Sequence, residues 1–322
     1  DGLLGSEIVK QTEWDYISRK KDGFDITDME TYHLLTSVEF GAIQHCKYDV
    51  ILNCIANTDT YSTDKDLHWK VNYEGLSNLI KFCNDWKVKL VHISTDYVYS
   101  GSDTEATENT VPVHCNNWYG YTKLLGDGLV QLNSNNYLLC RCTHKPKPFP
   151  YDGAWIDQVG NFDYVPNISK LIIDMINNNL SGLYNVGTET KTIYELASET
   201  RKVKKIYAPQ QVPKNLSMNL DKLHKGLNKP FFSIAIPTYG YNGRGVEFLD
   251  FSLEIISKQT FKDFEVVLSD HSEDDTIKEV YDKWVDKLNI KYFKNSKGRG
   301  IISPNINNAM KLCNGKWIKV LF

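Results

Sequence analysis

The sequence predicts two α/β domains in series: a doubly wound parallel sheet, then a second, partial α/β unit. Three observations carry that expectation. The chain has 322 residues, against about 150 for a typical domain. Strand-like and helix-like runs alternate through its first half, the mark of parallel βαβ units. A proline-punctuated stretch then interrupts the alternation, which restarts at Phe231.

The elements follow in order. Leu3 to Lys10 reads as a helix, Asp15 to Ser18 as a short strand and Val50 to Ala56 as a buried strand. His68 to Trp86 reads as one helix, because Leu67, Val71, Leu76, Leu79, Ile80 and Cys83 recur at three-to-four spacing. Lys89 to Ser94 is a strand, Trp118 to Leu132 a helix and Tyr137 to Cys142 a strand. Pro146, Pro148 and Pro150 make Thr143 to Gly153 an extended loop. A smaller region follows, with a helix at Ile168 to Asn177 and a strand at Gly182 to Val186. Thr192 and Glu195 have the spacing of a capping box, which opens another helix. Asn228-Lys229-Pro230 punctuates the chain and places the domains at 1–228, with its substrate-binding part at about 143–228, and 229–322. Beyond it come strand Phe232 to Ile236, helix Val246 to Lys258, strand Glu265 to Ser269, helix Thr276 to Leu288 and strand Ile290 to Phe293.

Composition narrows the function. A formal net charge of −3 excludes a chain-wide basic field for nucleic acid. No window approaches the roughly 20 apolar residues of a membrane helix. The opening Asp-Gly-Leu-Leu-Gly-Ser lacks the basic and apolar regions of a secretory signal. The chain holds seven cysteines without CxxC spacing, which read as scattered thiols and not as a zinc ribbon or disulfide framework. The expectation is a cytoplasmic protein with no nucleic-acid partner and no membrane span.

Two groups of residues in the first half point to chemistry. Gly2-Leu3-Leu4-Gly5 opens a helix, and glycines there let the backbone approach a dinucleotide pyrophosphate seated on the helix N-terminus. The first glycine of such a loop, and the strand before it, would precede Asp1. Two glycines alone fit an ordinary tight turn equally. Arg19 and Lys20 stand near the end of the second strand, where a 2′-hydroxyl-binding site usually has an acid. Two cations suit a 2′-phosphate, or simply a solvated turn, and Asp25 would lie near the adenine. Tyr119 and Lys123 lie one turn apart on one helix face. A tyrosine of pKa about 10 needs help to exchange a proton at neutral pH. A neighbouring ammonium, stabilising the phenolate, would supply it. Tyr16 and Lys20 share the spacing, but across an extended stretch of about 13 Å. Only Tyr119 has an upstream hydroxyl partner, Thr95, at the C-terminal end of a strand.

These residues, with Leu52-Asn53-Cys54-Ile55-Ala56, Val71-Asn72, Ser94-Thr95-Asp96-Tyr97-Val98-Tyr99 and Tyr119-Gly120-Tyr121-Thr122-Lys123, resemble the extended short-chain dehydrogenase/reductases. They most resemble the dTDP-4-dehydrorhamnose reductases. Asp157-Gln158-Val159-Gly160, Gly182-Leu183-Tyr184-Asn185 and Asp221-Lys222-Leu223 extend the resemblance over roughly residues 1–228. It implies a Rossmann-type fold and NAD(P)H-dependent reduction of a 4-keto-deoxysugar nucleotide, with NADPH favoured. Thr95 would polarise the carbonyl, Tyr119 deliver the proton and Lys123 hold the nicotinamide ribose. Gly2, Leu3, Leu4, Gly5, Arg19, Asp25, Asn53, Ala56 and Asn72 would line the cofactor, and Asp96 and Tyr97 the sugar. A homodimer is the oligomer that the resemblance suggests. The segment from Arg141 to Asp157 is shorter and richer in proline than in that family, so the sugar stays open.

The second half resembles a family 2 glycosyltransferase of GT-A fold. The carriers are Phe232-Ser-Ile-Ala-Ile-Pro237-Thr238-Tyr239, Phe264-Glu265 through Asp270-His271-Ser272, Gly298 and Gly300 around Arg299, Asn305, Asn308, and Gly315-Lys-Trp-Ile. The resemblance implies that Pro237, Thr238 and Tyr239 shape a base pocket and that Asp270 binds the nucleotide of a dTDP- or UDP-linked sugar. The metal-binding carboxylates of such enzymes normally follow the Gly-x-Trp-Ile strand, so Mg²⁺ or Mn²⁺ is expected only for a complete transferase domain. No sugar transfer is expected of this sequence alone. Apolar surface at the sheet edge should make 231–322 the less stable part.

Together the halves suggest an enzyme of nucleotide-sugar metabolism for glycan assembly. Two alternatives use the same first site. One is an NAD-dependent epimerase with the same Tyr, Lys and Thr machinery. The other is a non-catalytic regulatory subunit, as in the methionine adenosyltransferases.

Overall fold

The computed structural model describes residues 2–38, 44–100, 105–110, 117–210, 212–227, 230–296 and 302–321. The chain divides into two compact units, Asp1–Leu223 and His224–Phe322.

The first unit is built on a four-stranded parallel sheet. Its order is Gly182–Asn185, Tyr137–Arg141, Lys89–Ser94, Val50–Asn53. Leu90 pairs with Tyr137, Val50 with Lys89 and Gly182 with Leu138. The two central strands are buried almost throughout, as parallel strands covered on both faces must be. Against one face packs the helix Gly75–Asp85 through Leu76, Leu79, Ile80, Phe82 and Cys83. Phe24, Tyr32, Leu90, Leu139 and Leu183 complete that core. A smaller region joins Val159–Gly160 to Lys191–Thr192 and Asn215–Leu216, and Gly153–Trp155 to Lys204–Ile206. There the Thr192–Glu195 capping box forms in both directions.

Four elements differ from the sequence reading. Asp15 to Ser18 is not a strand: a strand needs a ladder partner, and none of the described residues pairs with it. Ser18 instead caps a helical turn, Arg19–Asp22, its hydroxyl accepting from the Lys21 amide. The strand expected to run to Ala56 stops at Asn53 and is only partly buried, because it borders the sheet. The single helix expected from His68 is Lys65–Trp69, a π-helical turn Lys70–Glu74, then Gly75–Asp85. The wide turn shifts the helical register, so Leu67 lies exposed while Asn72 is buried. The helix expected to reach Leu288 ends at Trp284.

The second unit repeats the architecture on a smaller scale. Its parallel sheet runs Ile290–Lys294, Phe264–Asp270, Phe232–Thr238, Trp317–Val320. Helices Arg244–Ser257 and Thr276–Trp284 bury Leu249, Leu253, Ile256, Ile277, Val280 and Trp284 over it. Phe264–Asp270 is buried along its whole length. Trp317 and Ile318, on the border strand, are exposed. Gly298, Arg299 and Gly300, part of the resemblance to the transferases, lie outside the described residues.

The six described cysteines are free thiols. Among the described residues no helix is long and apolar enough to cross a membrane.

Candidate active site

The first unit gathers its polar residues at the C-terminal ends of its strands, where open α/β sheets hold ligands. Asn53 ends one strand, Ser94 ends the next with Thr95 directly after it, and Arg141 and Asn185 end the other two. The helix Trp118–Asn133 brings Tyr119 and Lys123 to that edge. It lies close to the π-helical turn: a Cβ on Gly126 would stand 3.3 Å from the Asn72 carbonyl oxygen. A side chain at residue 126 would push this helix away from Asn72.

The Thr95 side chain lies close enough to the Tyr119 phenol to favour its ionised form. Thr95 also donates to Asp96 Oδ1 at 3.3 Å. Tyr97 meets the Tyr119 ring edge-on, centroids 6.2 Å apart. Asp96 is fully buried. Its Oδ1 accepts from Thr143 at 2.6 Å. Its Oδ2 finds no hydrogen-bond partner among the described residues. Burial pushes the Asp96 carboxyl up, while Thr143 and the charge of Lys145 pull it down.

The proton chemistry departs from the sequence reading. Lys123 was expected to lower the Tyr119 pKa. Burial instead raises the phenol, Asp96 adds to the rise, and the Thr95 side chain is the leading opposing influence. Lys123 is itself buried and lowered to about 8 by desolvation. Its Nζ donates to the Ile93 carbonyl at 2.6 Å and meets His92 Nε2 at 3.1 Å. The Lys123 side chain thus spends its polar contacts on the strand Lys89–Ser94.

The residues expected to line a cofactor fall into two sets. Asn53, Ala56 and Asn72 lie around the end of the strand Val50–Asn53. Asn72 Oδ1 accepts from the Asn57 amide at 2.8 Å, and its Nδ2 donates to the Asn57 carbonyl at 3.0 Å and to Thr122 Oγ1 at 3.1 Å. Asn72 thus ties the loop after Asn53 to the helix of Tyr119. Gly2 caps the helix Leu3–Gln11 without a side-chain hydrogen bond, and nothing lies within 4 Å of where its Cβ would be. Leu3 is exposed and Leu4 buried, and a Cβ on Gly5 would touch Cys54 at 3.6 Å. A helix start without a side-chain cap leaves amide donors that suit a diphosphate. Arg19 is largely exposed and reaches Asp25 Oδ2 at 3.3 Å. The Asp25 carboxyl is held low chiefly by its hydrogen bonds from Thr27, with Arg19 a smaller influence.

Sequence reasoning missed three contributors. His92 stands between Asn53 and Lys123. Lys145 acts on Asp96 from the strand His144–Lys145. Arg141 donates to Asp127 at 2.7 Å and to the Tyr99 hydroxyl at 2.6 Å, all three buried, and Tyr99 donates to Asn185. Their partners are remote in sequence, and no local pattern pairs them. A lone histidine in an apolar strand, and a charged residue ending one, were the only signals.

In the second unit Pro237, Thr238 and Tyr239 end the strand Phe232–Thr238 and enter its loop. The Thr238 carbonyl accepts from Asn305 Nδ2 at 3.1 Å and from the His271 amide at 3.0 Å. Asn305 and Asn308 also bond Ser269. Tyr239 is exposed. Asp270, offered as a nucleotide acceptor, is fully buried and engaged on both oxygens. Oδ1 accepts from the Ser272 amide at 2.8 Å, and Oδ2 from Tyr292 at 2.8 Å and Lys294 at 3.2 Å. Among the described residues no cluster of three His, Cys, Asp or Glu side chains could hold a metal ion.

Comparison with known proteins agrees with this division. Residues 1–144 match the family model of the RmlD substrate binding domain, and residues 233–321 that of glycosyl transferase family 2. The dTDP-4-dehydrorhamnose reductase of Mycolicibacterium smegmatis is 33% identical over 38% of this chain and 36% of its own length. The methionine adenosyltransferase 2 subunit beta of Xenopus laevis is 30% identical over 44% of this chain and 43% of its own. The chain thus spans less than half the length of these curated relatives. A dTDP-4-dehydrorhamnose reductase from Bacillus anthracis str. Ames, solved in complex with NADP, superposes with a TM-score of 0.58 at 21% identity, over 70% of this chain and 94% of that one. At that identity the likeness shows the fold. The chain is therefore similar to the dTDP-4-dehydrorhamnose reductases over its first unit and to the family 2 glycosyl transferases over residues 233–321.

Proposed function

We propose that the first unit reduces a 4-keto-deoxysugar nucleotide with NADPH or NADH, in a chain that serves glycan assembly. The observation that carries this is the Thr95 and Tyr119 side chains brought together at the sheet's C-terminal edge, with Lys123 one turn further on. The Thr95 hydroxyl is placed to polarise a carbonyl. Tyr119, a neutral phenol by virtue of its burial, is the proton donor that a developing alkoxide requires. Asp96, with its unpartnered Oδ2, and Tyr97 offer polar contacts to a sugar. Gly2, Leu3, Leu4 and Gly5 would hold the diphosphate of a dinucleotide, Asn53, Ala56 and Asn72 the region beside its reactive end, and Arg19 and Asp25 its adenosine. The dinucleotide supplies the hydride. NADPH is the favoured form because Arg19 offers an exposed cation to a 2′-phosphate. Residues 229–322 would bind the nucleotide of a dTDP- or UDP-linked sugar through the Pro237–Tyr239 loop, with Asp270 holding the base of that loop.

The reading is tested by Tyr119→Phe. Loss of a general acid lowers kcat by about 10²–10⁴-fold, and cofactor affinity should be kept. An unchanged kcat would refute the assignment.

A second reading is a binding subunit without catalysis. One observation favours it: the similarity to the methionine adenosyltransferase 2 subunit beta. One stoichiometric protein partner, captured equally by wild type and Tyr119→Phe, would support it.

A further inference from the structure

His92 is buried in the middle of the sheet, and both its ring nitrogens are engaged. The hydrogen-bond directions around it can be read from the backbone outward. The Ile55 amide donates to Asn53 Oδ1 at 2.9 Å. That fixes the Asn53 side chain, so its Nδ2 is the atom that faces His92 Nδ1 at 3.1 Å. Nδ2 carries only protons to give, so His92 Nδ1 must accept. A neutral imidazole that accepts at Nδ1 carries its proton on Nε2. That Nε2–H points at Lys123 Nζ, 3.1 Å away. An ammonium has no lone pair with which to receive it. A neutral amine has one, and still donates to the Ile93 carbonyl.

We propose that His92 is a positioning residue that holds Lys123 as a neutral amine in the ligand-free chain, through the directed series Ile55 amide to Asn53 to His92 to Lys123 to the Ile93 carbonyl. Charging Lys123 sets two donors against each other. If the His92 tautomer inverts to relieve that clash, the clash moves to Asn53 Nδ2. Burial works in the same direction, lowering Lys123 to about 8. The other groups that act on Lys123 are Asp127 on its own helix, Cys142 after the strand Tyr137–Arg141, and Cys54 after Val50–Asn53. Asp127 favours the ammonium, but it is already bound to Arg141 at 2.7 Å. Lys123 is then a proton-accepting station and not a fixed cation, and whatever takes the place of His92 as its partner recharges it.

The consequence for turnover rests on the reductase reading, but the test does not. The full chain, labelled with ¹³Cε-lysine and without cofactor or substrate, is titrated by NMR, and Lys123→Met identifies the resonance. A Lys123 midpoint below about 7 is expected, so that the amine is mostly neutral at neutral pH. In His92→Gln, whose carbonyl oxygen can accept from an ammonium, the midpoint should rise by roughly one unit or more. His92→Leu, which removes the opposing donor, should raise it too, with circular dichroism verifying the fold. A wild-type midpoint above about 7, or one that stays put in a folded His92→Gln, would overturn the inference. A chain inactive on every sugar nucleotide would leave this titration intact and would count only against the reductase reading.

Discussion

Asp96 and Asp270 occupy equivalent places in the two units. Asp270 ends a central parallel strand, Asp96 lies two residues beyond the end of one, and each is fully buried. Their surroundings are opposite. Asp270 meets the Ser272 amide, Tyr292 and Lys294, which use both of its oxygens. Asp96 has Oδ1 bonded to Thr143 and Thr95 and Oδ2 bonded to nothing among the described residues. A buried polar atom without a partner costs about 1–3 kcal/mol. The second unit avoids that cost and gains a rigid loop; the first carries it beside the Thr95–Tyr119 pair. The contrast teaches that burial of an acid does not mark a site by itself. An unmet hydrogen-bonding capacity next to reactive groups is the more telling sign.

Breaking the comparison should give unequal effects. Asp270→Ala leaves Tyr292 and the Ser272 amide without their acceptor and removes one partner of Lys294, which keeps the Asp274 carbonyl and Asp275. It should destabilise the second unit by about 2–3 kcal/mol, read as a lower denaturation midpoint. A loss as small as that of an ordinary surface change would show that the Asp270 bonds are dispensable. Asp96→Asn should cost little, and its effect should depend on pH. The Asp96 carboxyl is raised by burial, so the folded state holds a proton that the unfolded state releases near pH 4. Wild-type stability therefore falls as pH rises above that value, whereas an amide does not titrate. The Tm of Asp96→Asn relative to wild type should climb from pH 4 upward. A difference that is flat, or that falls with pH, would mean that the carboxyl is not raised.

The smallest change concerns Arg19. Because Arg19 is largely exposed, Arg19→Ala should reduce the NADPH to NADH preference by only roughly two- to fivefold. An unchanged ratio of dissociation constants would leave Arg19 as a surface partner of Asp25.

How much of this was legible follows from how far apart the partners lie. Apolar runs such as Leu90–Val91 and Val266–Leu268 announce parallel strands, since both faces are covered. The four-residue spacing of Tyr119 and Lys123 puts both on one helix face. Asp15 to Ser18 misled because a strand is defined by its neighbour, which composition does not show. The π-helical turn at Lys70–Glu74 was invisible for a related reason: it shifts the apolar register by a fraction of a turn, and only Asn72's burial reveals it. The Asn53–His92–Lys123 series was out of reach, because its links span 39 and 31 residues. It also reverses the expected service: the lysine was read as acting on Tyr119, and the structure turns it toward His92 and Ile93.

The most direct test of the central claim is NADPH oxidation by the wild-type chain, followed spectrophotometrically with a panel of 4-keto-6-deoxy sugar nucleotides. Substrate-dependent oxidation, with a reduced sugar nucleotide as product, is the result predicted by the Thr95–Tyr119 pair and the buried Lys123. Stoichiometric NADPH binding with no turnover on any member of the panel would contradict the claim and favour the binding subunit.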